Sequence, residues 1–147
     1  MRMKYDYQPI VTSIGHDGMF FWMPEVAITI SGKNGNRRLF ALVDSGASVC
    51  VADSAIAESA GIELNKKDML YIGGVIGGGR GEPVYPANVT IKVEGLKELV
   101  VPVYFGKISR AFTFILGQKG FFDTHNIKFI KHRDVFEIVS IQQRNKS

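Results

Sequence analysis

A chain of 147 residues, 46% hydrophobic and 22% charged, has the length for one domain with one core and the composition of an ordinary soluble globular protein. Its net charge of +4 is mild, and its basic residues are not interleaved with aromatics, so no nucleic-acid partner is expected; the C-terminal end, with Lys128, Lys131, His132, Arg133, Arg144 and Lys146, reads as a solvated face and a polar tail. The single cysteine, Cys50, excludes an internal disulfide framework and fits a reducing compartment, and no apolar run approaches a membrane span.

Residues 1–8 are polar, with no apolar signal-peptide core, so a cytoplasmic location is expected. Residues 9–14 alternate apolar and polar as a strand, and Gly15-His16-Asp17-Gly18 is a turn signal. An aromatic-rich stretch follows at 19–23, and Val26, Ile28 and Ile30 share one face at period two. Asn34-Gly35 is a hairpin turn, and residues 38–43 form the return strand. Residues 52–60 are the best helix candidate, with Asp53 or Ser54 as the N-cap and Gly61 at the C-terminal cap position.

Residues 69–72 lead into a segment, 73–81, with six glycines in nine positions. No stable helix forms there, and the pattern reads as a mobile hairpin tip with Val75 and Ile76 as its apolar end. Apolar runs at 84–93 and 99–105 are joined by a turn at Glu94-Gly95, a third run spans 111–116, and a short helix is expected to begin near Gly120. Residues 127–130 and 135–138 pair as a last hairpin. The sum is a mostly β domain with one or two short helices, and evenly spaced short strands predict a closed or nearly closed barrel.

The run Leu39-Phe40-Ala41-Leu42-Val43 ends in Asp44-Ser45-Gly46. A carboxylate at the end of a buried strand must be hydrogen-bonded, paired or protonated, and a glycine two residues on lets backbone come close to a ligand. Asp-Ser-Gly alone is common in turns. Here it is followed in order by the glycine-rich hairpin and by Ile115-Leu116-Gly117 with Phe121 and Phe122. That constellation resembles the retropepsins, the single-domain aspartic proteases of retroviruses and their small bacterial relatives, over residues 24–139. The resemblance implies a small closed β-barrel with one lobe per chain, residues 24–140, preceded by an N-terminal extension, 1–23, packed on the domain or a dimer interface, and followed by a polar tail, 141–147.

On this resemblance Asp44 would be the catalytic aspartate, Ser45 would bond across the dimer axis, and Gly46, Ala47 and Ser48 would line the cleft floor. Residues 71–81 would be the flap, with Gly73, Gly74, Val75, Ile76 and Gly77 over the substrate. Ile115-Leu116-Gly117 would pack beneath the catalytic loop. The chain holds one Asp-Ser/Thr-Gly motif, so the second carboxylate would come from a second copy in a two-fold homodimer. Two carboxylates that close share one proton; one activates a water and the other polarises the scissile carbonyl. Two departures stand out. Retroviral members often carry an acid four residues after the aspartate, paired with an arginine just after the later glycine; here those positions are Ser48 and Gln118. Retroviral members also build much of their dimer interface from the chain termini, which here are extended.

The expected function is aspartic endopeptidase acting on polypeptide, with no cofactor, no metal, no nucleic acid and no membrane; the alternative is a peptide-binding or dimerisation module on the same fold. Cys50 reads as a small buried filler, and His16, His125 and His132 as surface histidines without metal-ligand spacing. Phe20, Phe21 and Trp22 are expected in the core, with a protein-binding patch as the other reading. Phe121 and Phe122 are expected to anchor the short helix. Asp53 and Glu58 need only capping and solvated-face roles.

Overall fold

The computed structural model describes residues 2–11, 20–72, 81–108 and 112–141. In chain order the elements are β1 (Arg2–Asp6), β2 (Gln8–Val11), β3 (Phe20–Met23), β4 (Glu25–Gly32), β5 (Gly35–Val43), β6 (Cys50–Asp53), α1 (Ser54–Ala60), β7 (Leu70–Ile72), β8 (Glu82–Val93), β9 (Leu99–Gly106), β10 (Phe114–Leu116), β11 (His125–Ile130) and β12 (Val135–Ser140). Short 3-10 turns occupy Lys66–Asp68, Phe122–Thr124 and Lys131–Arg133.

Six strands close a barrel in the order β4, β5, β10, β6, β9, β8, with β8 pairing back onto β4. Closure removes the exposed edges that an open sheet of this size would leave. Inward-facing residues at period two fill it: Val26, Ile28 and Ile30 from β4, Val89, Ile91 and Val93 from β8, and Val101, Val103 and Phe105 from β9. The β4–β5 hairpin turns at Asn34-Gly35, with Gly32 opposite Gly35, as the sequence predicts. Pairs β5–β10 and β6–β9 are parallel and the remaining barrel pairs antiparallel.

Helix α1 starts at Ser54, two residues later than expected, because Cys50–Asp53 pairs with Val103–Gly106 as a strand. The Asp53 side chain caps the helix by accepting from the Ala55 N–H at 2.9 Å. Gly61 ends it in the left-handed region at φ 74°, which a Cβ would oppose.

A second, three-stranded sheet has the order β1, β12, β11. Strand β1 is one the sequence reading missed. Its alternation is present, with Met3 and Tyr5 half-buried between exposed Arg2, Lys4 and Asp6, but its partner, Asp6↔Val135 to Arg2↔Val139, lies at the far end of the chain. Phe136 and Ile138 of β12 are fully buried, Tyr5 stacks on Phe136 at 5.3 Å, and the Tyr5 hydroxyl donates to Glu94 O at 2.5 Å, so this sheet joins the barrel core. Burial pushes the Tyr5 phenol up to about 12, with the Glu94 charge adding to it.

Two expectations are corrected. His125 is not a surface residue: it is 6% exposed and stacks on the buried Phe121 ring at 4.4 Å. Its Nδ1 lies 2.9 Å from Phe121 O, to which it donates, and this bond lets a polar ring enter the core. Phe21 and Trp22 are not core residues; they remain 40% and 48% exposed. They lie on β3, which pairs with β2 alone to make a two-stranded ribbon. Among the described residues no helix is long and apolar enough to cross a membrane.

Candidate functional site

Strand β5 carries its last three residues, Ala41, Leu42 and Val43, into the interior and then releases the chain at Asp44. Two bonds fix the exit: the Val43 N–H donates to Pro24 O at 2.9 Å and the Asp44 N–H to Leu116 O at 3.0 Å. The chain turns at once. The Ala47 N–H donates to Asp44 O at 3.2 Å, and the Gly46 N–H donates to Asp44 Oδ1 at 2.9 Å, which fixes the carboxylate rotamer. Asp44 is half-buried rather than enclosed, and Ser45 and Gly46 are exposed.

The segment after β10 holds this loop from below. The Gln118 N–H donates to Ala47 O at 2.8 Å, the Lys119 N–H to Ser48 O at 3.0 Å, and Val49 bridges Lys119 in parallel register. The Gln118 side chain adds a third tie, Nε2 to Ser45 O at 2.6 Å. Gly117 is required here by contact: a Cβ would sit 2.2 Å from Val49 O and 2.8 Å from Ala47 O. Beneath them Cys50 is fully buried, and its Sγ accepts from the Gly117 N–H at 3.3 Å. Burial pushes its thiol up, which suits a packing residue rather than a nucleophile.

Asp44 opens onto a groove of about 410 Å³ lined by Met23, Pro24, Leu42, Val43, Asp44, Ser45, Phe112 and Phe129. Asp44 is its one acid among the described residues. Glu25, next to Pro24 and opposite Leu42, is a half-buried carboxyl pushed up by burial, and it does not line the groove. A second depression, between β5 and α1, is lined by Arg37, Arg38, Leu39, Ala55, Ile56 and Ser59 and carries no acid. Its Arg37 is engaged with Ser59 Oγ and O and with the carbonyls of Asn34 and Asn36. Among the described residues no three His, Cys, Asp or Glu side chains gather as a metal-ligand set.

Of the residues singled out from sequence, Asp44 and Ser45 line the groove, and Gly46, Ala47 and Ser48 continue the same loop. Gly73, Gly74, Val75, Ile76 and Gly77 lie outside the described residues, as does His16. The arms of that hairpin are described: β7 pairs antiparallel with the start of β8, from Leu70↔Val84 to Ile72↔Glu82, and Tyr71 stands 68% exposed. Sequence reasoning missed Met23, Pro24, Phe112 and Phe129 as groove walls, since nothing local distinguishes them from core residues. It also missed the bond from Gln118, which it read as the loss of an ion pair.

A family model described as aspartyl protease matches residues 26–119, the span from the first barrel strand to the end of the loop support. The chain belongs to the aspartyl protease family. The barrel is similar in fold to retropepsin-like proteins of known structure. A retropepsin-like aspartic protease from Rickettsia conorii superposes with a TM-score of 0.52 at 15% identity, covering 94% of this chain and 92% of that one. The retroviral protease-like domain of Ddi1 from Leishmania major does so with a TM-score of 0.50 at 18% identity, covering 84% and 97%. At these identities the likeness is one of fold. No curated protein sequence matches the chain significantly. The aspartyl protease assignment agrees with the order of motifs in the sequence, and the closed barrel agrees with the expected fold.

Proposed function

We propose that this aspartyl protease family member is a homodimeric aspartic endopeptidase in which Asp44 of each chain supplies one of two catalytic carboxylates. The observation that carries the reading is the placement of Asp44. It sits at the open end of a buried strand, on a groove walled by apolar side chains, with its rotamer set by the Gly46 N–H and its loop tied to residues 116–119. Such preorganisation serves chemistry that needs an acid held at one point. One chain brings one such acid to the groove, and the reaction needs two, so a two-fold partner completes it.

In the assembled pair the two carboxylates share a proton because both cannot ionise at close range. The ionised one takes a proton from the attacking water, and the protonated one donates to the scissile carbonyl oxygen as the tetrahedral intermediate forms. Proton return to the leaving nitrogen then breaks the C–N bond. Substrate lies extended, with main-chain bonds along the β7–β8 hairpin that closes as the flap and side chains in alternating pockets. The groove walls, Met23, Leu42, Phe112 and Phe129, favour apolar or aromatic side chains beside the cut.

Cleavage of a mixed peptide library from about pH 4 to about pH 7, by wild type beside Asp44→Asn, tests the reading. Cleavage by wild type that vanishes in Asp44→Asn, with the oligomeric state unchanged, is the expected result. Equal cleavage by both would overturn the assignment of Asp44. Peptide retention without cleavage by either would favour a binding module.

A further inference from the structure

The β2–β3 ribbon is a two-stranded element separate from the barrel and from the three-stranded sheet. Among the described residues its backbone pairs with neither sheet. An isolated two-stranded ribbon is marginal in water, and natural open strand edges are guarded by charge. Here Gln8–Val11 and Phe20–Met23 contain no charged residue. Ile10 is buried, but its cross-strand neighbour Phe21 is 40% exposed, and on the opposite face Trp22 is 48% exposed opposite an exposed Pro9. Among the described residues one side-chain hydrogen bond ties the ribbon to the turn between β11 and β12, Lys131 Nζ to Trp22 O at 3.4 Å.

The ribbon also runs directly into the site. Met23 and Pro24 line the Asp44 groove, and Pro24 O receives the Val43 N–H. Trp22 is therefore one residue from the groove wall. The C-terminal strand β12, by contrast, is paired on both sides, by β1 and β11 of the same chain, so its edges are already taken within one protomer.

We propose that the β2–β3 ribbon, through Phe21, Trp22 and its uncharged edge, is the surface on which a second copy of this chain docks to complete the Asp44 site. This rests on the reading of Asp44 as half of a shared carboxylate pair. The partner is a second copy because the groove lacks one acid, because the ribbon is continuous with the groove wall, and because two uncharged ribbons meet in an isologous contact without like-charge repulsion. Exposed aromatics beside an apolar groove are the anchors such a contact uses.

Trp22 is the single tryptophan of the chain, so the full-length protein reports on this surface without modification. Its emission and its iodide quenching are followed on serial dilution beside sedimentation velocity of the same samples. The expected result is a rise from one to two chains in mass, with a blue shift and protection of Trp22 at the same midpoint. The double variant Phe21→Glu/Trp22→Glu is expected to raise the dissociation constant by at least about thirtyfold with an unchanged circular dichroism spectrum. Should that variant fail to fold, the wild-type dilution still decides. A dimer in which Trp22 emission and quenching do not change, or a chain that stays monomeric throughout, overturns the proposal. So does a Trp22 shift that appears only on adding an extended peptide at constant mass, which would give the ribbon to substrate. Asp44→Asn separates the two readings: loss of cleavage with the Trp22 shift intact supports both, whereas a shift with no cleavage by wild type keeps the docking surface and removes the endopeptidase.

Discussion

The Asp44 loop and the β2–β3 ribbon face the same groove and are held in opposite ways. The loop is tied from three directions by backbone bonds to Pro24, Leu116 and residues 118–119, and sits over a buried Cys50. The ribbon buries Ile10 but offers exposed aromatics and unpaired edges, and among the described residues one long lysine bond ties it to the turn between β11 and β12. The difference separates what the chain completes alone from what it leaves for contact. A loop that must hold an acid at one point is closed by its own barrel, and a surface that meets something else stays open.

The sharpest way to break this contrast is Gly117→Ala. A Cβ there meets two backbone oxygens that cannot move cheaply, so a cost on the order of 4 kcal/mol is expected, seen as a large fall in melting temperature and loss of cleavage. Full stability in this variant would mean that the loop is not packed as described. Phe105→Ala in the barrel is expected to cost about 3–5 kcal/mol by urea denaturation, since its ring is fully buried. Trp22→Ala, measured on monomer, is expected to change stability by no more than about 0.5 kcal/mol. Similar costs at both positions would erase the distinction between barrel and ribbon.

A smaller effect comes from Gln118→Ala, which removes the 2.6 Å bond to Ser45 O. About 1 kcal/mol of stability is expected to go, with a proportionally greater loss in kcat than in KM, because the bond positions the loop rather than the substrate. An unchanged kcat would reduce Gln118 to a surface contact.

The smallest expected effects are pH-dependent. Burial holds the His125 imidazole below its ordinary value against the opposing pull of Phe121 O and Asp123. The unfolded chain then binds the proton more readily, so this contribution is present above about pH 6.5 and is lost as pH falls. His125→Gln is expected to flatten that part of the melting profile. Glu25 runs the other way: burial raises its carboxyl, so ionisation at neutral pH opposes folding. Glu25→Gln is expected to raise the melting temperature near neutrality and to leave it unchanged where Glu25 is already protonated.

Much of this was legible in the sequence because the signals are local. Asn34-Gly35 marked its hairpin, Asp53 and Gly61 bounded the helix, and period-two runs in β4, β8 and β9 named the barrel interior. Asp44 stood out as an acid that ends an apolar run. What was not legible depends on distant partners. Strand β1 is polar at every second position and is fixed by β12 across most of the chain. His125 enters the core because Phe121 offers a carbonyl, a condition that composition does not reveal. Phe112 and Phe129 reach the groove from segments whose pattern is that of any core strand. Trp22 looks like a core residue by type, and only the separate course of the ribbon leaves it outside.

The central claim, that one active site needs two chains, is tested most directly by mixing wild type with Asp44→Asn. At equal amounts, after exchange, random pairing leaves about half of the wild-type chains opposite an inactive partner, so activity per wild-type chain is expected to fall to about half. Activity per wild-type chain that does not change at any mixing ratio, with exchange verified by sedimentation of differently tagged chains, would contradict a shared site.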